Sequence, residues 1–562
     1  MQMPGTTGFL DRIYKICRIG VLTPVLSCCA SLCVVATLRE PSAVPPEIVN
    51  ALPAGGIRGG VTTVHVAGTN LEAAKALVTG RGVTVQSVSA SSAGDSADVK
   101  LAIAADAEPG ERELRIGTPR GVSGPLSLWV DVYPNVLEAD PNGDATHAQR
   151  LERTPSVLNG VIAQAGDRDL CSFEAKTGET WVVDGVVSRI HSPLSPVVEL
   201  MDESGSVAAE GRPSPGGDPR IIFPCERAGR YVVSIRDRNG RGGPDFVYRL
   251  AVGRLPVVTS VVPHGEKPGR KVAIRLSGAN LGATNRTVVT IPADATGITW
   301  ATARTPSGPS LPFPLIAEFA PVVGLTETDA LMPLPTLPCA LEGRFAVYPS
   351  TRFAFDGKAG QTVVFAMYGR SLGSDVDGAI SIQDTSGRVL MESGYSTADT
   401  RLEFTPREQG IYVVEARDRQ GRVGPDRTYR LTASLAAPDF RPFLDSDRIN
   451  LPAGGIVSAH IDVERIGGFD GAIQVKAVGL PRGVTLRAGE IPAGQSSADV
   501  SFSSIAGAPR ALAVIRLTAS GTVGGKVVTH GVAPRLRRPD GTFRSCEMLP
   551  LAVIDPTPSV SR

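Results

Sequence analysis

From about residue 51 onward the chain is written in short runs in which apolar and polar side chains alternate. Val61, Thr63, His65 and Ala67 share one parity, and Gly68-Thr69-Asn70-Leu71 closes that run. Apolar-rich runs recur at 181–183, 197–200, 221–223, 231–235 and 248–252, with Gly, Pro, Asn or Asp between them. A period of two sends alternate side chains to opposite faces of a strand, and the punctuating residues are those of tight turns. Long stretches with helical spacing are scarce. The pattern predicts an all-β chain of tandem β-sandwich modules. A last strand is expected at 548–554, between Pro539 and Pro556.

The turn and core residues repeat. Pro53, Gly68, Asn70 and Leu71 recur at a constant offset as Pro263, Gly278, Asn280 and Leu281. Phe173, Gly178, Asp202 and Gly205 recur as Phe355, Gly360, Asp384 and Gly387. Gly229, Tyr231, Asp237, Gly240, Pro244, Asp245, Tyr248, Arg249 and Leu250 recur as Gly410, Tyr412, Asp418, Gly421, Pro425, Asp426, Tyr429, Arg430 and Leu431. A two-module unit is therefore present twice, and the second copy is about 28 residues shorter between its modules. Repeated turn chemistry speaks for shared architecture, and duplicated units favour binding or scaffolding over catalysis.

Composition agrees with folded modules. Hydrophobic residues make up 42% and charged residues 20% of 562 positions, with 62 Gly and 45 Pro. The formal net charge of +1 offers no global attraction to nucleic acid or an anionic membrane. Residues 1–38 read as a signal peptide or membrane anchor. Arg12, Lys15 and Arg18 precede a largely apolar stretch from Ile19 to Leu38, and Val34-Val35-Ala36 suits cleavage. Val25-Leu26-Ser27-Cys28 distantly resembles a lipobox. Cys17, Cys28, Cys29 and Cys33 lie in this segment. Cys171, Cys225, Cys339 and Cys546 remain, with no metal spacing. Cys171 and Cys225 share the inward parity of Phe173 and Phe223, as two buried hydrophobes or as a local disulfide.

Two family resemblances follow from the motifs. Pro53-x-Gly55, Val61-x-Thr63 and Gly68-Thr69-Asn70-Leu71 resemble the Ig-like modules called IPT/TIG, in which Gly68 and Asn70 would supply positive φ angles. Glu138-Ala139-Asp140-Pro141-Asn142, Asp167-x-Asp169-x-x-x-Phe173, Leu200-x-Asp202-x-x-Gly205 and Gly229-x-Tyr231-Val232-Val233-Ser234-Ile235 resemble the bacterial pre-peptidase C-terminal domain. That resemblance implies a jelly-roll-like sandwich found on secreted enzymes and surface proteins. The expected organisation is Ig-like (44–133), pre-peptidase-like (134–253), shortened Ig-like (254–322), pre-peptidase-like (323–436) and a C-terminal Ig-like module (437–556). Small interfaces between modules and linkers predict an elongated molecule.

The chemistry-bearing constellation is acidic. Calcium takes six to eight hard oxygen ligands. In relatives of the pre-peptidase domain, corresponding acids bind calcium. The resemblance implies a structural Ca²⁺ held by Glu138, Asp140, Asn142, Asp167 and Asp169, with solvated turn residues as the alternative. The second copy carries Pro349 and Thr351 in place of Asp167 and Asp169, and Leu331 in place of Asn142. It is expected to lack the ion. The basic turns around Arg236–Gly242 and Arg417–Arg422 could meet acidic polysaccharide, and Arg535–Arg538 reads as a solvated loop. Trp129, Trp181 and Trp300 are expected in cores. The six histidines are scattered, with surface or turn positions expected, and no H-E-x-x-H motif or phosphate loop is present.

These features converge on a non-catalytic, exported bacterial protein of the cell envelope or secretome. Its modules would present loops to extracellular protein or polysaccharide, touching the membrane only through the N-terminal segment and binding no nucleic acid. The second reading is an accessory or targeting protein for a secreted peptidase or glycan-degrading enzyme.

Overall fold

The structure, a computed structural model, describes residues 44–555 other than 215–216, 294, 396–398, 488 and 539–541, and of residues 321–325 the backbone alone. The predicted targeting segment lies outside the described residues. The chain is all-β. Among the described residues, strands are broken only by turns, loops and two single-turn 3₁₀ helices, Ser188–Ile190 and Arg370–Leu372. No described helix is long and apolar enough to cross a membrane.

Five successive stretches of chain each contribute two main sheets, and the third adds a two-stranded hairpin, Arg304–Thr305 with Gly308–Pro309. The first sandwich pairs a sheet ordered 47–52, 61–69, 96–103, 83–90 with one ordered 55–57, 126–131, 110–118, 75–78. Its opening strand changes sheets at Pro53-Ala54, which is why the same turn recurs at Pro263-His264. Val64, Val66, Leu71, Val99, Leu101, Leu114 and Ile116 fill the space between the sheets, all fully buried. Alternation places them there, since their neighbours Thr63, His65 and Lys100 face outward. Asn70 and Asn280 take the expected left-handed backbone at φ 58° and 57°. Gly68 does not. It is required for close approach, because a side chain there would run into the carbonyl oxygen of Glu47 at a register shift in the ladder.

The second sandwich is larger. Its six-stranded sheet is ordered 135–137, 156–161, 247–253, 180–186, 219–224, 212–213, and its five-stranded sheet 149–150, 168–175, 229–237, 196–201, 207–210. Phe173 stacks on Trp181 with ring centroids 3.9 Å apart, and Tyr231 and Phe223 extend the aromatic layer. The fourth stretch repeats this architecture. Phe355, Phe365, Phe404 and Tyr412 form its aromatic layer, with edge-on contacts. The third is the shortened one, with two three-stranded sheets. The fifth carries two six-stranded sheets around Phe440, Ile461, Phe502 and Leu551.

A linear order of modules predicts contacts between sequence neighbours. The structure adds contacts between the first and last. Arg115 pairs with Asp447, Arg544 donates to the carbonyl of Pro125, and Asn450 accepts from the amide of Val122. The described residues from Val44 onward form one compact unit. This close association of the first and last stretches departs from the beads-on-a-string expectation.

Candidate functional site

Glu138 follows the first short strand of the second sandwich, and Asp169 lies on strand Arg168–Ala175. They meet beneath Tyr248. Glu138 accepts through Oε1 from the amide of Val161 at 2.7 Å, and through Oε2 from the Tyr248 hydroxyl at 2.6 Å. Gly160 makes this possible, because a Cβ there would collide with both the phenol and the Glu138 carboxylate. Asp169 is buried, and its Oδ2 has no hydrogen-bond partner. Burial, reinforced by the hydrogen bond and charge of Glu138, pushes its carboxyl up to about 9. Burial and the same two carboxyls push Tyr248 well above the usual phenol range.

The other three predicted ligands are placed differently. Asn142 is buried and tied to the Asp169 strand, since its carbonyl accepts from the amide of Leu170. Its side-chain Oδ1 is buried without a partner. Asp167 turns to its own loop, accepting from the amides of Ala163 and Arg168. Asp140 is exposed. Among the described residues no three His, Cys, Asp or Glu side chains gather around a common point. The structure therefore joins Glu138 to Asp169, brings Asn142 to the same strand, and leaves Asp140 and Asp167 at the periphery. Nearby Asp144 caps a turn. Hydrogen bonds from Thr146 and His147 hold its carboxyl well below the usual range.

The second copy solves the same position without acids. Thr351 replaces Asp169 in register, and its hydroxyl hydrogen-bonds the hydroxyl of Tyr429. Glu327 pairs with Arg344 instead of reaching the phenol.

Residues that sequence reasoning missed stand at the junctions between sandwiches. Arg249 is buried on a central strand, where it donates to Asp131 at 2.5 Å and Asn159 at 3.1 Å. Asn159 also accepts from the amide of Ala54 at 3.1 Å. In the second copy Arg430 donates to Glu342, and Glu342 accepts from the amide of His264 at 3.1 Å and from its ring. The same backbone bond is thus kept, while the acceptor changes from an amide to a carboxylate. Burial alone would raise the Glu342 carboxyl, but His264 and Arg430 outweigh it and hold it below the ordinary value. His264 departs from the surface position expected of it. The signal was available, because Tyr-Arg-Leu recurs in both copies with a charged residue on an otherwise apolar strand.

Other candidates are engaged within the fold. Asp237 accepts from the amides of Asn239 and Arg241, and Arg241 reaches back to the carbonyl of Pro193. Asp418 and Arg422 repeat this with Asp375. Arg535, expected in a solvated loop, pairs with Asp445 and Asp462 and lies over the rings of Phe443 and Phe543. Cys171, Cys225, Cys339 and Cys546 are buried free thiols, so Cys171 and Cys225 are small hydrophobes here and not a disulfide. Burial pushes the Cys171 thiol up to about 12. Trp181 is in the core, but Trp300 is exposed. Gly369-Arg370-Ser371-Leu372-Gly373 carries the letters of a nucleophile elbow, against the expectation that the chain has none. Ser371 Oγ is buried without a partner, and its amide donates to Asp399, a turn cap shared with Ser188 and Asp218 in the first copy.

Residues 45–124, within the first sandwich, match the family model of quinohemoprotein amine dehydrogenase, alpha subunit domain III. No curated protein matches the chain. Among solved structures it is similar to surface layer protein SbsC, domains 1–6, at 10% identity and TM-score 0.15, covering 92% of this chain and 55% of that one. It is also similar to trypsin-activated alpha-2-macroglobulin from Escherichia coli, at 8% identity and TM-score 0.17, covering 91% and 49%. The chain spans about half the length of each.

Proposed function

We propose that this chain is a non-catalytic binding and scaffolding protein of the bacterial cell envelope or secretome. The observation that carries the reading is the set of buried charged latches between sandwiches. Arg249–Asp131, Arg430–Glu342–His264 and Arg115–Asp447 each join side chains from two different sandwiches. A buried pair leaves a large penalty when one partner is removed, so such latches hold module orientation closely. Fixed orientation is what a surface that presents several loops at once requires. Recovery of a saturable protein or glycan partner from envelope fractions by the full chain supports this. Turnover of a broad peptide and glycan panel by the purified chain would sink it.

Calcium is part of the same proposal. Glu138, Asn142 and Asp169 would hold it, and two of their buried oxygens lack any partner, which a hard cation would satisfy. Calcium would supply local order and charge balance, pinning the stretch 138–142 to the Asp169 strand. Because Asp169 favours its protonated form, binding should release a proton. Calorimetry of the full chain in buffers of different ionisation enthalpy reads this directly, and no heat at about millimolar Ca²⁺ would end the calcium proposal.

A further inference from the structure

The two copies differ most where the second is shorter. In the first sandwich Lys75–Val78 pairs with Gly110–Thr118, and Val83–Ala90 pairs with Ser96–Ile103. One strand belongs to each sheet, so together they close one side of the sandwich. In the third sandwich Leu281 leads almost directly into Arg286–Thr290. Among the described residues that strand pairs with Lys271–Ala279 alone, and Gly297–Ala301 pairs with Phe313–Ala317 alone. The registers match, since Arg286 lies opposite Arg275 as Asp98 lies opposite His65. The deletion thus removes both closing strands and bares one edge on each sheet.

Those edges are apolar. Val288 is 63% exposed, Ile298 44% and Trp300 43%. By register, Ile298 and Trp300 stand where the first sandwich has Glu111 and Glu113. Exposed edges are ordinarily blunted by Lys, Pro or a bulge, because unpaired backbone groups template pairing with another strand. Neither bared strand carries Lys or Pro, and the one charge on them, Arg286, stands at the end of its strand. Between them and the rest of the protein runs a cleft of about 740 Å³, lined by Val288, Thr290 and Trp300 and faced by Arg112, Trp129 and His191. That is the size of an ordinary ligand site.

We propose that this open side is a strand-addition site for an extended peptide segment of a partner protein. The segment pairs with Arg286–Thr290 in the place that Val83–Ala90 holds in the first sandwich. Its alternate apolar side chains rest on Val289 and Ala301, which are only partly buried at the edge of the core. In the first sandwich Val83, Val85, Val88 and Ala90 cover the core in this way. Main-chain hydrogen bonds would supply affinity, and the alternation would supply selectivity. The inference rests on the binding role proposed above and narrows it to one partner chemistry, an uncharged segment with apolar residues at every second position.

The test mixes the full chain with a synthetic peptide copying residues 82–91 and reads amide exchange by mass spectrometry. The expected result is slowed exchange across 286–290, with affinity about tenfold weaker for Val288→Lys, for Trp300→Ser, and for a peptide whose valines are moved to adjacent positions. Both substituted positions are exposed, so the fold should persist. No protection at about millimolar peptide overturns the site, as does equal protection in Val288→Lys. Self-association through the same edge, seen by sedimentation and abolished by Val288→Lys, overturns it in favour of a second copy. Equal recovery of an envelope partner by wild type and Val288→Lys rejects the edge but leaves the binding role standing. Peptide protection without any envelope partner rejects the role and not the edge.

Discussion

The first repeat places Asp169 beneath Tyr248, and the second places Thr351 beneath Tyr429. The first repeat joins its sandwiches through Arg249, Asp131 and Asn159, and the second through Arg430, Glu342 and His264. The backbone geometry is shared, down to the amide that donates to residue 159 or 342. The charge has moved. The first repeat buries an extra carboxyl inside its sandwich and keeps a neutral amide at the junction. The second buries none at the phenol and concentrates its ions at the junction. The lesson is that a repeated fold constrains where polar groups must be satisfied, but not which polar groups satisfy them.

The largest expected effect separates the two junctions. Arg249→Ala leaves Asp131 buried with only Asn135 as a side-chain donor, and should cost about 3–5 kcal/mol in denaturant unfolding. Arg430→Ala should cost less, because His264 still faces Glu342. Equal losses would break the comparison.

Next come two pH slopes of opposite sign. Asp169 has its folded value raised to about 9, so its contribution to stability is full below the ordinary carboxylate range and is lost as pH rises toward 9. Glu342 has its folded value lowered, so its contribution is present above the ordinary 4.5 and is lost as pH falls through the depressed value. Asp169→Thr, the residue of the second copy, should flatten the stability curve between the ordinary carboxylate value of 3.8 and about 9. Glu342→Gln should flatten the acid side. Thermal midpoints measured from pH 3 to 10 read both, and an unchanged slope in either variant removes that half of the comparison.

The smallest effect concerns the two phenols. Tyr248→Phe and Tyr429→Phe each lose one buried hydrogen bond, at about 1 kcal/mol. The first should cost more at neutral pH, because it leaves Glu138 Oε2 without its donor, whereas Thr351 loses only a neutral partner. Double-mutant cycles with Glu138→Gln and Thr351→Val would measure the difference.

Much of this was legible in residue order. The alternation around Val61–Ala67 and the Gly, Pro and Asn turns are local signals, and they mark strands directly. The repeat exposed the shared architecture, and the loss of Asp167 and Asp169 in the second copy marked the first as chemically distinct. The predicted ligand set was legible only in part. Glu138 and Asp169 meet because Gly160 leaves room beneath Tyr248, while Asp167 is drawn to amides of its own turn. That competition between a distant partner and a nearby backbone donor is invisible in a list of acids. Gly68 was read as a turn glycine, but its need is set by Glu47 across the ladder.

Composition, alternation and turn residues were enough to establish an all-β chain with a duplicated unit, because strand formation depends on neighbours two to four residues away. The location of its buried charges and open edges was not available at that range. Arg249 and Asp131, or Arg115 and Asp447, meet only after separate sandwiches pack, and the bare edges at 286–290 and 297–301 exist because two strands found in one copy have no counterpart in the other. Those features follow from long-range pairing, where each strand's environment is decided by what lies beside it in space.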